Sequence, residues 1–233
     1  MKKGGIQVYQ KLLLSGIRIK IIGDSITAGS GSSDDSRSGP VILTINGKEY
    51  KEQMGKLCWA SLFSSYVREL YPQSQVVNRS CSRLNSTQLR DNLSQFTDES
   101  DQVILLMIGA NDRKQEDGKE VLGRNLKFIA EYLKNEGKTV ILMSYPPSTE
   151  QNESRPELFF YMSDVDRILE QTAAAEEIRF ISHYNRLLNY YKENSLTVEE
   201  MMMSGKGVRD GLHPPDRVHR LIFEQVVREV ETL

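Results

Sequence analysis

Ile19-Lys20-Ile21-Ile22-Gly23-Asp24-Ser25-Ile26-Thr27-Ala28-Gly29 is the stretch whose reading decides the fold. Arg18 to Gly23 is a short, β-branched run with the form of a parallel strand covered on both faces. It passes directly into Gly-Asp-Ser, and a serine at the tip of such a strand is where an open α/β sheet can offer a nucleophile. The loop that follows, residues 29–40, is rich in glycine, serine and aspartate and has almost nothing to bury.

Downstream, strand-like and helix-like segments alternate. Val41 to Ile45, Asn46-Gly47 and Lys48 to Tyr50 carry the signature of a two-residue hairpin, a small insertion near 41–52. Trp59, Leu62, Phe63, Tyr66, Val67 and Leu70 form one apolar helical stripe that stops before Pro72, with Trp59 read as core. Strands are expected at 75–78, 102–108, 139–143 and 178–181, and helices at 86–96, 119–135, 158–175, 186–193 and 216–233. Pro214 and Pro215 suit the start of the last helix, where a missing N–H costs nothing. This alternation predicts an α/β fold, a parallel sheet with helices on both faces.

The bulk composition narrows the function classes. The 233 residues include 30 basic and 32 acidic side chains, a net charge of −2, without a polybasic run. No nucleic-acid partner is expected. Cys58 and Cys81 stand in no metal-binding spacing and read as buried free thiols, so no metal and no cofactor are expected. Residues 1–16 are of mixed polarity and read as an extension before a single domain over 17–233. Their apolar run, Leu12-Leu13-Leu14, is too short for a signal segment or a membrane span. The chain therefore reads as cytoplasmic, with no stable membrane insertion.

In a doubly wound sheet, reacting groups gather outside the carboxyl ends of the strands. Ser25 follows the first strand, Arg83 lies beyond the second, Asn111 follows the third, and His213 precedes the last helix, so all four can reach one rim. A serine hydroxyl needs a base within hydrogen-bond reach. Of the three histidines, His183 reads as a polar loop residue and His219, three after Asp216 within the last helix, as a surface or packing residue. His213 has Asp210 three residues before it in a turn, where the carboxylate can fold back onto Nδ1 and leave Nε2 for the serine. Asn111 and the backbone N–H of Ser25 are candidate oxyanion donors; Asn111 equally suits a plain turn cap.

Gly23-Asp24-Ser25-Ile26, Gly109-Ala110-Asn111-Asp112 and Asp210-Gly211-Leu212-His213-Pro214, in that order, resemble the blocks of the SGNH hydrolases, also called the GDSL esterase and lipase family. The resemblance implies a three-layer α/β/α, flavodoxin-like fold with five parallel strands. It also implies Ser25 as nucleophile, His213 as base, Asp210 as its orienter, Asn111 in the oxyanion hole, and a metal-free acyl-enzyme reaction. Asp24 is read as a neighbour that shapes the loop rather than as the acid of the triad.

One position departs from the family pattern. Asn78-Arg79-Ser80-Cys81-Ser82-Arg83 places Arg83 where a glycine usually supplies an oxyanion N–H. The N–H survives the change, but a positive φ or a close substrate approach suits arginine less well than glycine. Three readings follow: Arg83 pairs with an anionic substrate group, the loop is remodelled, or the side chain simply faces solvent. The expected function is a serine esterase acting on small acyl esters, O-acetyl groups on a carbohydrate being the favoured substrate. Acyl transfer to a sugar hydroxyl by the same triad is the alternative, and a catalytically degenerate carbohydrate-binding domain is the contrasting class.

Overall fold

The computed structural model describes residues 13–34, 41–45, 47–51, 55–206 and 209–231. The strands are β1 (Arg18–Gly23), β2 (Val41–Ile45), β3 (Lys48–Lys51), β4 (Gln75–Asn78), β5 (Val103–Met107), β6 (Thr139–Met143) and β7 (Arg179–Ile181). Five of them form one sheet in the order β4-β1-β5-β6-β7, and all its pairs are parallel. The strand order reverses between β1 and β5, so the crevice at their carboxyl ends is the topological switch point. β2 and β3 pair antiparallel as a separate ribbon; Asn46 of the expected turn lies outside the described residues.

The first helices are α1 (Trp59–Leu70), α2 (Ser86–Asp91), α3 (Leu93–Phe96) and α4 (Gly118–Asn135). After β6 come α5 (Glu150–Glu153) and α6 (Met162–Ala175), and after β7 come α7 (His183–Glu193), α8 (Val198–Met202) and α9 (Asp216–Glu231). α9 packs on α1, α7 and α8, while α4 packs between α2 and α6, giving the two helical layers of an α/β/α fold. α1 turns Trp59, Phe63 and Val67 into the core, each burial worth roughly 2 kcal/mol. No helix among the described residues is long and apolar enough to cross a membrane.

Several boundaries differ from the sequence expectation, each for a local reason. The single helix expected over 86–96 is two, because Asn92 leaves helical geometry (φ −127°) and its Nδ2 donates to the Gln88 carbonyl at 2.9 Å. The helix expected from Leu158 begins at Met162: the Phe159 N–H is taken by the Arg113 carbonyl at 2.8 Å, and Tyr161 N–H donates to Asp164 Oδ2 at 3.2 Å. The helix expected from Arg186 begins at His183, because Ser182 Oγ caps it by accepting from Asn185 N–H at 3.1 Å. His183 is therefore no loop residue; it is fully buried, with Nδ1 2.6 Å from Gln225 Oε1, and burial pushes its pKa down to about 4. Leu13, which lies in the segment expected to precede the domain, is fully buried in the core. Cys58 and Cys81 are buried free thiols, and burial pushes the Cys81 thiol up to about 12.

β1 carries a lysine among its isoleucines. The Lys20 side chain is fully buried, with Nζ 2.6 Å from Asp98 Oδ2 and 3.3 Å from Asp101 Oδ2. Asp101, equally buried, also accepts from Arg18 Nε at 3.0 Å and from Asp98 N–H at 2.7 Å. A buried ion pair adds little by itself, but removing one partner strands the other charge. Asp101→Ala leaves the buried Lys20 ammonium only Asp98 as a partner and removes the acceptor of the Asp98 N–H, so it is expected to destabilise the protein by about 2 kcal/mol in chemical denaturation. A change within about 0.5 kcal/mol, the range of an ordinary surface substitution, would contradict this account.

Candidate active site

Gly23 ends β1 with no room for a side chain, since a Cβ there would lie 2.4 Å from Thr27 Oγ1. The chain then turns tightly, Ala28 N–H donating to the Asp24 carbonyl at 2.9 Å and Ser30 N–H to the Ser25 carbonyl at 2.8 Å. Ser25 stands half-exposed at the tip. The loop beyond it rests on the segment that carries His213, where a Cβ on Gly31 would come within 2.4 Å of the Pro214 carbonyl oxygen. His219 fastens the same loop from below. Fully buried, it donates from Nε2 to the Ser30 carbonyl at 3.3 Å, and its Nδ1 accepts from Trp59 N–H at 3.4 Å. Of the two roles expected for it, His219 takes the packing one, and burial lowers its pKa to about 4.

Asp210 and His213 lie on the loop before α9. Thr149 N–H donates to the Gly211 carbonyl at 2.9 Å, and a Cβ on Gly211 would overlap Thr149 Oγ1 at 2.0 Å, so this loop is seated closely on the segment after β6. Asp210 Oδ1 accepts from the N–H groups of Leu212 and His213 at 3.0 and 2.9 Å, and Oδ2 lies 2.6 Å from His213 Nδ1. Partial burial would raise this carboxyl, but the His213 ring and the two N–H groups outweigh it and hold the group well below the usual carboxylate range. A charged Asp210 fixes the Nδ1–H tautomer and leaves Nε2 as an acceptor, 2.9 Å from Ser25 Oγ. That is the reach an imidazole needs to take a hydroxyl proton.

Asn111 follows β5 and lines the same cavity as Ser25, Arg83 and His213. Its Nδ2 donates to the Leu84 carbonyl at 3.0 Å and approaches Asp24 Oδ2 at 3.5 Å. The second contact is weak, so one amide proton is available to a stronger acceptor in the cavity. Among the described residues, the backbone N–H groups of Ser25 and Arg83 have no hydrogen-bond acceptor. Arg83 has φ 69°, the left-handed region that the glycine pattern anticipates. A φ of this sign is one that glycine adopts freely, and the exposed arginine side chain that stands here lines the cavity.

Two buried carboxyls support this rim. Asp24 has no exposure; Tyr145 Oη donates to its Oδ2 at 2.7 Å and Ile26 N–H to its Oδ1 at 3.0 Å. Asp112, next to Asn111, accepts from the Ser86 N–H at 3.0 Å and from its hydroxyl. Burial raises each carboxyl to about 6 against these bonds. Tyr145 and Ser86 went unnoticed in the sequence, because neither belongs to a motif and only the fold brings them to these carboxyls. Among the described residues, no group of three or more His, Cys, Asp or Glu side chains could hold a metal ion.

The model of the GDSL-like lipase/acylhydrolase family matches residues 21–221. The chain belongs to that family, which makes it a serine ester hydrolase of the SGNH type. A comparison with curated proteins finds no match. Among solved structures, the fold is similar to Axe2, an acetylxylan esterase from Geobacillus stearothermophilus, at 20% identity and a TM-score of 0.68 over 92% of this chain and 94% of that one. It is similar also to a lipase/acylhydrolase from Enterococcus faecalis, at 18% identity and a TM-score of 0.67 over 92% and 95%. The acetyl xylan esterase AlAXEase matches at 16% identity with a TM-score of 0.67, over 92% of this chain and all of that one, 100%.

The raised Asp24 carboxyl has a consequence for stability. Its folded pKa, about 6, lies above the ordinary 3.8, so the folded state holds this proton more tightly than the unfolded chain. That contribution is fully present below about pH 4 and is lost as the pH rises through about 6. Asp24→Asn, which stays neutral, removes it. Between about pH 4 and pH 7, wild type is expected to lose on the order of 2–3 kcal/mol relative to Asp24→Asn in urea denaturation. A difference that does not change with pH would refute the assignment.

Proposed function

We propose that the protein removes small acyl groups, acetyl above all, from the hydroxyls of carbohydrates, with Ser25 as nucleophile, His213 as general base and acid, and Asp210 orienting the imidazole. The proposed catalytic unit is a single domain over residues 17–233, with the hairpin as an insertion. The observation that carries the reading is the continuous relay from Ser25 Oγ to His213 Nε2, 2.9 Å, and from His213 Nδ1 to Asp210 Oδ2, 2.6 Å.

Ser25 Oγ attacks the ester carbonyl carbon while its proton passes to His213 Nε2. The oxyanion so formed is held by the N–H groups of Ser25 and Arg83 and by Nδ2 of Asn111. The intermediate collapses, the sugar oxygen leaves with the proton from His213, and an acyl-Ser25 ester remains. Water then gives a proton to Nε2 and attacks that ester; release of the carboxylic acid returns the proton to Ser25 Oγ. In this cycle Asp210 stays ionised, which its low pKa favours, and stabilises the imidazolium.

Two features support a short acyl group on a polar alcohol. The cavity of about 530 Å³ is lined, among the described residues, mainly by polar and charged residue types, with Leu212 the one aliphatic among them. The proteins of similar fold include acetylxylan esterases. Three further matches are catalytic mutants of Axe2 at a serine, an aspartate and the histidine three positions after that aspartate, the same spacing as Asp210 and His213.

A fluorophosphonate probe should label wild type at Ser25 and leave Ser25→Ala unlabelled. On p-nitrophenyl acetate, Ser25→Ala and His213→Ala are expected to lose at least about 10⁴-fold in kcat, Asp210→Asn less, and Asn111→Ala about 10²–10³-fold. Each variant should keep the wild-type unfolding midpoint to within a few degrees. Wild-type turnover in Ser25→Ala or His213→Ala would overturn the mechanism. Failure of folded wild type to release acetate from any acetylated sugar would overturn the substrate class.

A further inference from the structure

The cavity beside Ser25 holds more positive charge than ester cleavage uses. Lys48 and Lys51 of β3, Arg83 of the loop after β4 and Lys114 of the turn after β5 all line it, against Glu49 as the one carboxylate among its described lining residues. The chain as a whole has a net charge of −2, so four cations against one anion among the described lining residues is a local concentration of positive charge. All four cations are exposed. The ion pairs among the described residues engage other cations, among them Lys20 with Asp98 and Asp101, Arg113 with Glu153, Lys119 with Asp164, Lys134 with Glu176, and Arg186 with Glu229. None of the four takes part in one among the described residues. Lys48 Nζ is held 5.1 Å over the ring of Tyr50, which is itself buried at the cavity wall.

Like charges gathered round a concave site repel one another, and that cost is offset when an anion enters. The three elements that supply them are far apart in sequence, so the grouping is a product of the fold. Arg83 adds a separate argument. At φ 69° any side chain costs about 1–2 kcal/mol that a glycine would not, and the residue found there carries a planar, bidentate cation into the cavity lining.

We propose that the ester accepted at this site carries a carboxylate or phosphate on its alcohol part, the substrate being an O-acetylated acidic sugar, and that Lys48, Lys51, Arg83 and Lys114 select for that charge. This rests on the esterase reading, because an acetyl group has no place for a charge and the anion must then sit on the sugar. The same field draws the substrate in from solution, so the preference weakens as salt screens it.

Three acetate esters test the proposal: 4-acetoxybenzoate, 4-acetoxyphenyl phosphate and the neutral methyl 4-acetoxybenzoate. The measurement is the ratio of kcat/KM for each anionic ester to that for the neutral one, in wild type and in the triple variant Lys48→Gln/Lys51→Gln/Lys114→Gln. Leaving-group differences cancel when the ratios of the two proteins are compared. We expect the ratio to fall at least about tenfold in the triple variant, and to fall in wild type as salt is raised from about 20 mM to about 500 mM. A ratio that is the same in both proteins and insensitive to salt overturns the proposal.

Titration of Ser25→Ala with the same esters, followed by calorimetry, reads affinity without turnover. Tighter binding of an anionic ester supports the proposal, and whichever of the two binds more strongly tells a uronate-like from a phosphorylated sugar. Equal affinity for all three overturns it, even if wild type hydrolyses them. Preferential anion binding by a protein whose wild type cleaves none of them would support the charge selection and overturn the esterase reading alone.

Discussion

Asp24 sits without solvent exposure where β1 ends, and a buried carboxyl must be neutral or fully hydrogen-bonded. Meeting that demand organises the rim. Tyr145, from the segment after β6, gives its hydroxyl to Oδ2; the N–H of Ile26 closes the turn onto Oδ1; Asn111, after β5, leans on the same oxygen. Three strand ends are thus referred to one side chain, and Ser25 is the residue next to it. Losing the carboxyl would release Tyr145 into a fully buried site without an acceptor and would free the Ile26 N–H that closes the turn beside Ser25. Asp24 touches none of the atoms proposed to react, and what it holds directly is Tyr145 and the turn at Ser25.

The same logic holds on the far side of the cavity. Asp210 and His213 sit on a loop without regular structure, yet Gly211 lies too close to Thr149 for any side chain, and the Asn152 Nδ2 approaches the Asp210 carbonyl at 3.5 Å. Asn152 in turn accepts from Arg113, whose guanidinium is buried and paired with Glu153 at 2.8 Å. Arg113 belongs to the turn that follows Asn111, so the two halves of the site are tied together behind the cavity. A rigid frame of buried polar groups holds the parts that a loop alone would leave loose.

The sequence makes the sheet legible because its strands are buried on both faces, and continuous apolar runs such as Val103–Met107 have few other readings. The three short blocks around Ser25, Asn111 and His213 are legible for a related reason: each stands at the carboxyl end of a strand or just before a helix, where topology alone brings them together. Helix starts were read less well. Ser182 caps α7 so that it begins three residues before the expected start, and the buried His183 is paired with Gln225 of the last helix, a partner no local pattern identifies. The three lysines of the cavity are hidden from the sequence for the same reason, whereas Arg83 stands out in its block. Lys48 and Lys51 look like ordinary surface residues of a hairpin until the ribbon is seen to border Ser25.

Arg83 shows how one residue can serve by backbone and side chain separately. In the family pattern, a glycine reaches positive φ without strain and adds nothing else. Here the chain holds φ 69° with an arginine, so the N–H proposed to serve the oxyanion stands in a left-handed backbone while the side chain lines the cavity. The two tasks do not compete, because an amide N–H and a side chain leave the same Cα region on different bearings. A glycine would relieve the strain and lose the charge; an arginine in ordinary β geometry would keep the charge and turn the N–H elsewhere. An arginine held at φ 69° is compatible with both proposed roles, at the cost of the strain.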